Sequence, residues 1–319
     1  MKKNLILVMH RHLDATDLYD VANRIVRIDS NIAVHMVSAH ENADVLSADI
    51  WKRPSVTVGF GPTTSFVPPR GPVFENRMVE KLEQYKRLCT AGIPTPRTER
   101  FEFGKRYDEK EWSEFVILKP LPLTLTSKKG WTRLYRTQRL EHLKVRDLPQ
   151  DHFLRKGPGL VQTLIDTGPH PAKYRVLSLF GEALYSSMTR SAVPRAALDA
   201  SDEELESSVI DAKNPKSTTA DLAGERNRLI EDQEVLALAK RVHAVFPRIP
   251  YLGIDILRRE SDGCLFALEV NAGGNTWHFS SRKEGHRTRL GGRQAMVDQF
   301  GAWTVAAKVL IQVAHAHAA

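Results

Sequence analysis

Three oxygen-bearing side chains in the last third of the chain have the types and spacing to converge on a hard cation. They lie in Leu252 to Asn271, LGIDILRRESDGCLFALEVN, two strand-like runs joined by the turn residues Ser261, Asp262 and Gly263. Strands send alternate side chains to opposite faces, so Leu265, Ala267, Glu269 and Asn271 share one side and Phe266, Leu268 and Val270 the other. Folding the first run back antiparallel can bring Asp255 beside Glu269. Two carboxylates and an amide oxygen suit Mg²⁺, which keeps several waters and takes its remaining ligands from substrate phosphates; Mn²⁺ is the substitute the same donors admit. The combination points to a nucleotide. The plainer alternative is a hairpin whose polar residues are merely solvated.

GIDIL followed by LEVN resembles the metal signature of the ATP-grasp superfamily, especially the RimK-type and glutathione-synthetase-like carboxylate-amine ligases. The resemblance implies that Asp255, Glu269 and Asn271 hold Mg²⁺ between the phosphates of ATP. Further family segments lie upstream in the family's order, and the likeness covers roughly residues 75 to 310. In EKLEQYKRLCTAGIPTP, counting back eleven residues from Gly92 lands on Lys81, where the family opens a helix with an Asp-Lys pair; Glu80 replaces the Asp. Lys81 would reach the α- or β-phosphate. Phe115 to Leu118 delivers Lys119 just before Pro120, like the family's strand lysine that pairs the same phosphates.

The segment Thr124 to Gly130, TLTSKKG, stands in the place of the family's glycine-rich flap; it keeps only Gly130 and gains hydroxyls at Thr126 and Ser127 and a cation at Lys128. GLVQTLID, Gly159 to Asp166, is similar to the strand that ends in the adenine hinge, which implies nucleotide contacts from Gln162 and from the backbone of Thr163, Leu164 and Ile165. Lys173 to Arg190, KYRVLSLFGEALYSSMTR, resembles the Asp-x-Arg hairpin, with Lys173 in the ribose-binding position. By resemblance Arg175 and Arg190 are the catalytic arginines, facing the reacting phosphoryl and acyl groups, where a planar multi-donor cation offsets developing charge.

The main departure from the family follows the metal signature, NAGGNTWHFSSRKEGHRTRLGGR, where relatives carry Asn-x-Ser-Pro-Gly. Two glycines let the backbone approach a ligand closely. Asn275, His278, Ser280, Ser281 and Arg282 are therefore expected to line the acceptor pocket, with Trp277 as an apolar wall and Arg282 pairing an anionic group. The alternative is a structural loop in which Trp277 and Phe279 anchor the final helix. The basic cluster here, Arg282 to Arg293, is read either as an anion site or as a solvated loop.

The elements that must position these residues are legible from period and punctuation. Asn4 to Met9, Thr16 to Ile28, Ile32 to Val37 and Ser55 to Gly59 read as strand, helix, strand, strand, a small open α/β unit over residues 1–72 that ends in GFGPTTSFVPPRGP. Glu75 to Ala91 has helical period and stops at Gly92, Glu231 to Val245 is helical, and one amphipathic helix is expected over Gly292 to His317. The fold class is α/β of the ATP-grasp type, with a central subdomain at 73–157, a C-terminal subdomain carrying the metal site at 158–319, and antiparallel sheets in both.

At 319 residues, with 42% hydrophobic and 26% charged residues, the chain has a globular composition, and its apolar runs fall far short of the roughly 20 residues that span a bilayer. A cytoplasmic protein is expected, since Lys2-Lys3 and the brief run after them do not make a signal peptide. Cys264 is expected to be a buried core thiol. The net charge of +8 attracts anions, yet no basic stripe with interleaved aromatics points to nucleic acid. The resulting expectation is an ADP-forming ligase that joins a small carboxylate to an amine through an acyl phosphate. Phosphoryl transfer to a hydroxyl, or a nucleotide-binding regulator without turnover, are the alternatives, and a homodimer is left open.

Overall fold

The computed structural model describes residues 2–10, 13–61, 65–121, 132–208, 227–273, 276–280 and 284–319. The first unit contains β1 (Lys3–Met9), α1 (Ala15–Ile28), β2 (Ile32–Ser38), β3 (Ser55–Gly59) and β4 (Val73–Glu75). Its sheet runs β2-β1-β3-β4, all parallel. Asp14 caps α1 by accepting from Thr16 N–H, and the buried Leu18, Val21 and Ile25 recur on the helix face that meets the sheet. Glu75 therefore closes a strand instead of opening a helix.

The next elements are α2 (Lys81–Thr90), β5 (Thr98–Arg100), α3 (Glu109–Trp112), β6 (Phe115–Pro120), β7 (Arg133–Arg136) and β8 (Gly159–Thr163). The strands form an antiparallel sheet in the order β5-β8-β6-β7. The helix expected from Glu75 begins only at Lys81, because the Glu80 side chain accepts from Glu83 N–H and fixes the N-terminus there.

The last part comprises β9 (Ala172–Leu179), β10 (Glu182–Arg190), α4 (Asp202–Ser207), β11 (Asn227–Leu229), α5 (Gln233–Ala244), β12 (Tyr251–Arg258), β13 (Leu265–Asn271), α6 (Glu284–Arg289), α7 (Gly292–Asp298) and α8 (Ala302–His317). Five strands pair antiparallel in the order β11-β10-β9-β12-β13. The back of this sheet buries Val176, Leu252, Ile254 and Ile256 against Val235, Leu238, Ala239 and Val242 of α5. On the front, Leu177, Leu179, Tyr185 and Tyr251 enter a core shared with α8 and the first sheet. The single terminal helix expected from Gly292 is broken at Gly301, which adopts φ +65° and starts α8 afresh. Among the described residues, no helix is long and apolar enough to cross a membrane. Cys264 is exposed, because it belongs to the turn between β12 and β13 and not to the strand behind it.

Candidate functional site

Two β-bulges decide which side chains share the front of the five-stranded sheet. Counting back from the turn, Arg258 pairs with Leu265, Leu257 with Phe266 and Ile256 with Ala267; an unbroken ladder would then set Asp255 opposite Leu268. Leu268 is instead the extra residue, so Asp255 pairs with Glu269 and Gly253 with Asn271. The bulge thus puts the three expected oxygen ligands on one face. A second bulge, at Leu184 in β10, pairs Arg175 with Ser187 and Lys173 with Thr189. It also carries Arg190 to the other face, paired with Ala172, and leaves it exposed at the strand end. The catalytic position expected for Arg190 is therefore not met, since a one-residue shift inverts every side chain beyond it.

Asp255 is fully buried. The Arg175 guanidinium grips it with two bonds, Nε to Oδ1 at 2.5 Å and Nη2 to Oδ2 at 2.7 Å, and Lys173 Nζ donates to Oδ2 at 2.9 Å. Lys173, expected at the ribose, is thereby also a partner of the carboxylate. Burial disfavours the charge on Arg175, but Asp255 outweighs it and the group stays firmly protonated. Beside this pair, Glu269 is 23% exposed in its side chain, 3.4 Å from Lys81 Nζ, and its Oε1 is 3.4 Å from Asn271 Nδ2. Burial pushes the Glu269 carboxyl up, yet Lys81, Lys173 and Lys119 together hold it below the usual range.

Lys81 is the first residue of α2, which packs against β13 and β5. Lys119 comes from β6 in the other antiparallel sheet, and its Nζ donates to Gln162 Oε1 at 2.8 Å and to Tyr85 OH at 3.0 Å. Burial lowers Lys119 to about 8, and the Glu269 charge only partly restores it. Gln162, expected at the nucleotide, is an orienting residue: its Nε2 also reaches Tyr85 OH and Thr98 Oγ1. Sequence reasoning placed Tyr85 on an inward helix face but gave it no part in the site. Its hydroxyl, 34 positions from Lys119, meets the lysine only once α2 docks on the sheet that contains β5, β6 and β8.

The expected hinge is partly engaged elsewhere. Thr163 N–H donates to Arg97 O and Leu164 N–H to Phe115 O, so neither faces a ligand, and Ile165 is buried. The Thr163 hydroxyl is buried without a hydrogen-bond partner. Thr126, Ser127, Lys128 and Gly130 lie outside the described residues, as do Asn275, Ser281 and Arg282.

The described part of the acceptor loop is corrected toward an anchor. Trp277 is fully buried, stacks on Trp303 with centroids 6.0 Å apart and donates from Nε1 to Asp17 Oδ2 at 2.8 Å. His278 is 2% exposed, with Nδ1 2.5 Å from Tyr185 OH, so it is enclosed by protein and does not line an open pocket. Ser280 Oγ accepts from Asp14 N–H, tying the loop to the cap of α1. Arg293, counted in the basic cluster, is bound to Asp17. Aromatic side chains are won by the core because they carry the largest buried area per residue. Gly253 was also missed: a β-carbon there would lie 2.8 Å from Thr276 Cγ2 and 3.6 Å from Arg175 Nη1, so only glycine lets the loop close on the sheet at this point.

Among the described residues the site thus sets four cations, Lys81, Lys119, Lys173 and Arg175, around two carboxylates, Asp255 and Glu269. Its walls come from two antiparallel sheets and the start of α2. No family model matches the sequence, and no curated protein does. Solved structures do. The ATP-grasp ligase PsnB complexed with minimal precursor, Mg and ADP is similar at a TM-score of 0.51 and 15% identity, over 97% of this chain and 98% of that one. PsnB complexed with precursor peptide PsnA2 and AMPPNP gives 0.50 and 15%, over 97% and 96%. The likeness spans the whole architecture, from the parallel first sheet to the terminal helix, and this chain has the fold of those ATP-grasp ligases.

Proposed function

We propose that the chain is an ATP-dependent, ADP-forming ligase that activates a carboxylate as an acyl phosphate and joins it to an amine. The observation that carries this reading is the excess of cations around the Asp255 and Glu269 pair, built where the two antiparallel sheets of an ATP-grasp fold face each other. A buried surplus of positive charge is costly without anions, and a polyphosphate supplies them. Lys81 and Lys119 would counter the phosphates as flexible point charges. Arg175, fixed in orientation by two bonds to Asp255, keeps Nη1 on the side of Gly253 and Thr276 and would offset charge on the transferring phosphoryl group.

Glu269 and Asn271 project from one face of β13, and their oxygens suit Mg²⁺ or Mn²⁺. Such an ion would supply further neutralisation of phosphate charge. The substrate carboxylate oxygen attacks the γ-phosphorus and ADP leaves. The amine nitrogen then attacks the acyl carbon, phosphate leaves and the amine loses a proton. No protein nucleophile is required.

PsnB is complexed with a precursor peptide, so peptides join amino acids and small carboxylic acids as candidate substrates. The test is incubation of the chain with ATP, Mg²⁺, hydroxylamine and each of these carboxylates. A hydroxamate formed with stoichiometric ADP supports the ligase. A stable phosphoester would instead favour a kinase, and tight ATP binding with neither product would favour a regulator.

A further inference from the structure

Asp255 does not have the surroundings of a metal ligand. Both of its oxygens are taken, Oδ1 by Arg175 and Oδ2 by Arg175 and Lys173 together. The carboxylate is fully buried, and the two cations on it leave that corner positive before any ion arrives. A divalent ion on either oxygen, at about 2.0–2.1 Å, would sit against a guanidinium or an ammonium in a medium that screens poorly. Arg175 cannot simply swing aside: it faces Asp255 in the β9 and β12 register, and leaving would strand a buried charge.

Glu269 is different. It is part-exposed, and its contacts to Lys81 and Asn271 are both long at 3.4 Å. Asn271 is held only by a 3.3 Å bond to Gly253 O besides, and its amide oxygen and nitrogen can exchange by a flip. We propose that the centre holds one divalent ion, through Glu269 and Asn271, and that Asp255 is a positioning residue that fixes Lys173 and Arg175 as permanent cations beside it. The inference rests on the nucleotide reading above and specifies how that nucleotide's charge is met: by one exchangeable ion and two resident side chains.

The experiment counts ions without turnover. The full chain is titrated with Mn²⁺ in the presence of AMPPNP, free Mn²⁺ is followed by electron paramagnetic resonance, and bound nucleotide is measured by equilibrium dialysis. One Mn²⁺ per bound AMPPNP is expected. Glu269→Gln should raise the Mn²⁺ dissociation constant by roughly 10- to 100-fold, whereas Asp255→Asn should leave it close to wild type while weakening AMPPNP. Because Asp255 acts through its partners, Asp255→Asn combined with Lys173→Met should bind AMPPNP about as Asp255→Asn does. Two Mn²⁺ per bound AMPPNP, an Asp255→Asn variant that loses Mn²⁺ as fully as Glu269→Gln, or additive losses in the double variant would each overturn the inference. If the Asp255 variants do not fold, the wild-type count decides alone. Failure of AMPPNP to bind the wild-type chain at all would overturn the nucleotide reading itself.

Discussion

Two buried aspartates in this chain are held by arginine, and they serve different ends. Asp255 receives two bonds from Arg175 and one from Lys173, with Lys81, Lys119 and Glu269 close by. Asp17 receives two bonds from Arg293 on one oxygen and one from Trp277 Nε1 on the other, with Asp20 at 3.4 Å from the same arginine. Around Asp255 the cations outnumber the carboxylates; around Asp17 they do not. The first cluster is unfinished without an anion. The second is complete, sealed by Trp277, Phe279 and Trp303, and it fastens α1 to α7 and the loop after β13. A buried carboxylate gripped by arginine is therefore no mark of a binding site by itself. The sign of the charge left over is what distinguishes the two.

The contrast breaks most severely at Asp17. Replacing it with alanine leaves the buried Trp277 N–H unpaired and Arg293 with the more distant Asp20, and the expected loss is about 2–3 kcal/mol of stability. Urea unfolding measures it, and the folded fraction should keep wild-type affinity for AMPPNP. A loss of affinity with normal stability would erase the distinction between the clusters.

Lys119→Met acts on the other cluster and should do the reverse. Removing one charged hydrogen-bond donor at about 1.5–3 kcal/mol weakens AMPPNP roughly ten- to hundredfold, with little change in unfolding. Its lowered proton affinity adds a signature. An anion binds the charged form, so affinity should fall as pH rises through about 8, and the variant should lose that dependence. Calorimetric titration across pH 7 to 9, both limits set roughly one unit either side of that value, reads both effects.

A third measurement concerns stability away from both clusters. His243 is buried, its Nδ1 against Ser178 Oγ and its Nε2 against Ile249 O, and desolvation lowers it from 6.5 to about 4. Burial lowers His152 to about 4 as well. Between about 4 and 6.5 the unfolded chain binds protons that the folded one does not, so stability should fall as pH drops through that window. Melting temperatures across it should decline, and His243→Gln should flatten the slope.

The smallest effect is expected at Arg190. Facing away from Arg175 and exposed, its replacement by alanine should change stability by no more than about 0.5 kcal/mol and leave turnover unaltered. A large loss of kcat would return it to the site.

Much of this arrangement was legible in the sequence. The turn residues of the β12 and β13 hairpin, the apolar run ending in Lys119 and the spacing from Lys81 to Gly92 are local signals and survive folding; the strict alternation expected of β13 does not, since the bulge at Leu268 puts Ala267 on the face opposite Glu269. What was hidden is of two kinds. Asp17 and Trp277 are 260 positions apart, and nothing near either one announces the other. The placements of Lys173 and Arg190 were hidden for a different reason. Their roles depend on where Lys173 Nζ finds a partner and on an extra residue at Leu184, which no composition or period in β10 reveals.

That extra residue and its counterpart at Leu268 make the length of two strands matter more than their composition. Exchanging one side chain in β10 or β13 alters one position. Ironing out the bulge with Leu268 kept in the ladder would align Glu269 with Ile254, turning the carboxylate and Asn271 toward α5 and presenting Leu268 and Val270 to the cleft. Drawing Leu184 into the ladder would likewise turn Arg190 and Met188 inward and Ser187 and Thr189 out. Substitution leaves these faces as they are, whereas ironing out either bulge with its extra residue retained inverts them.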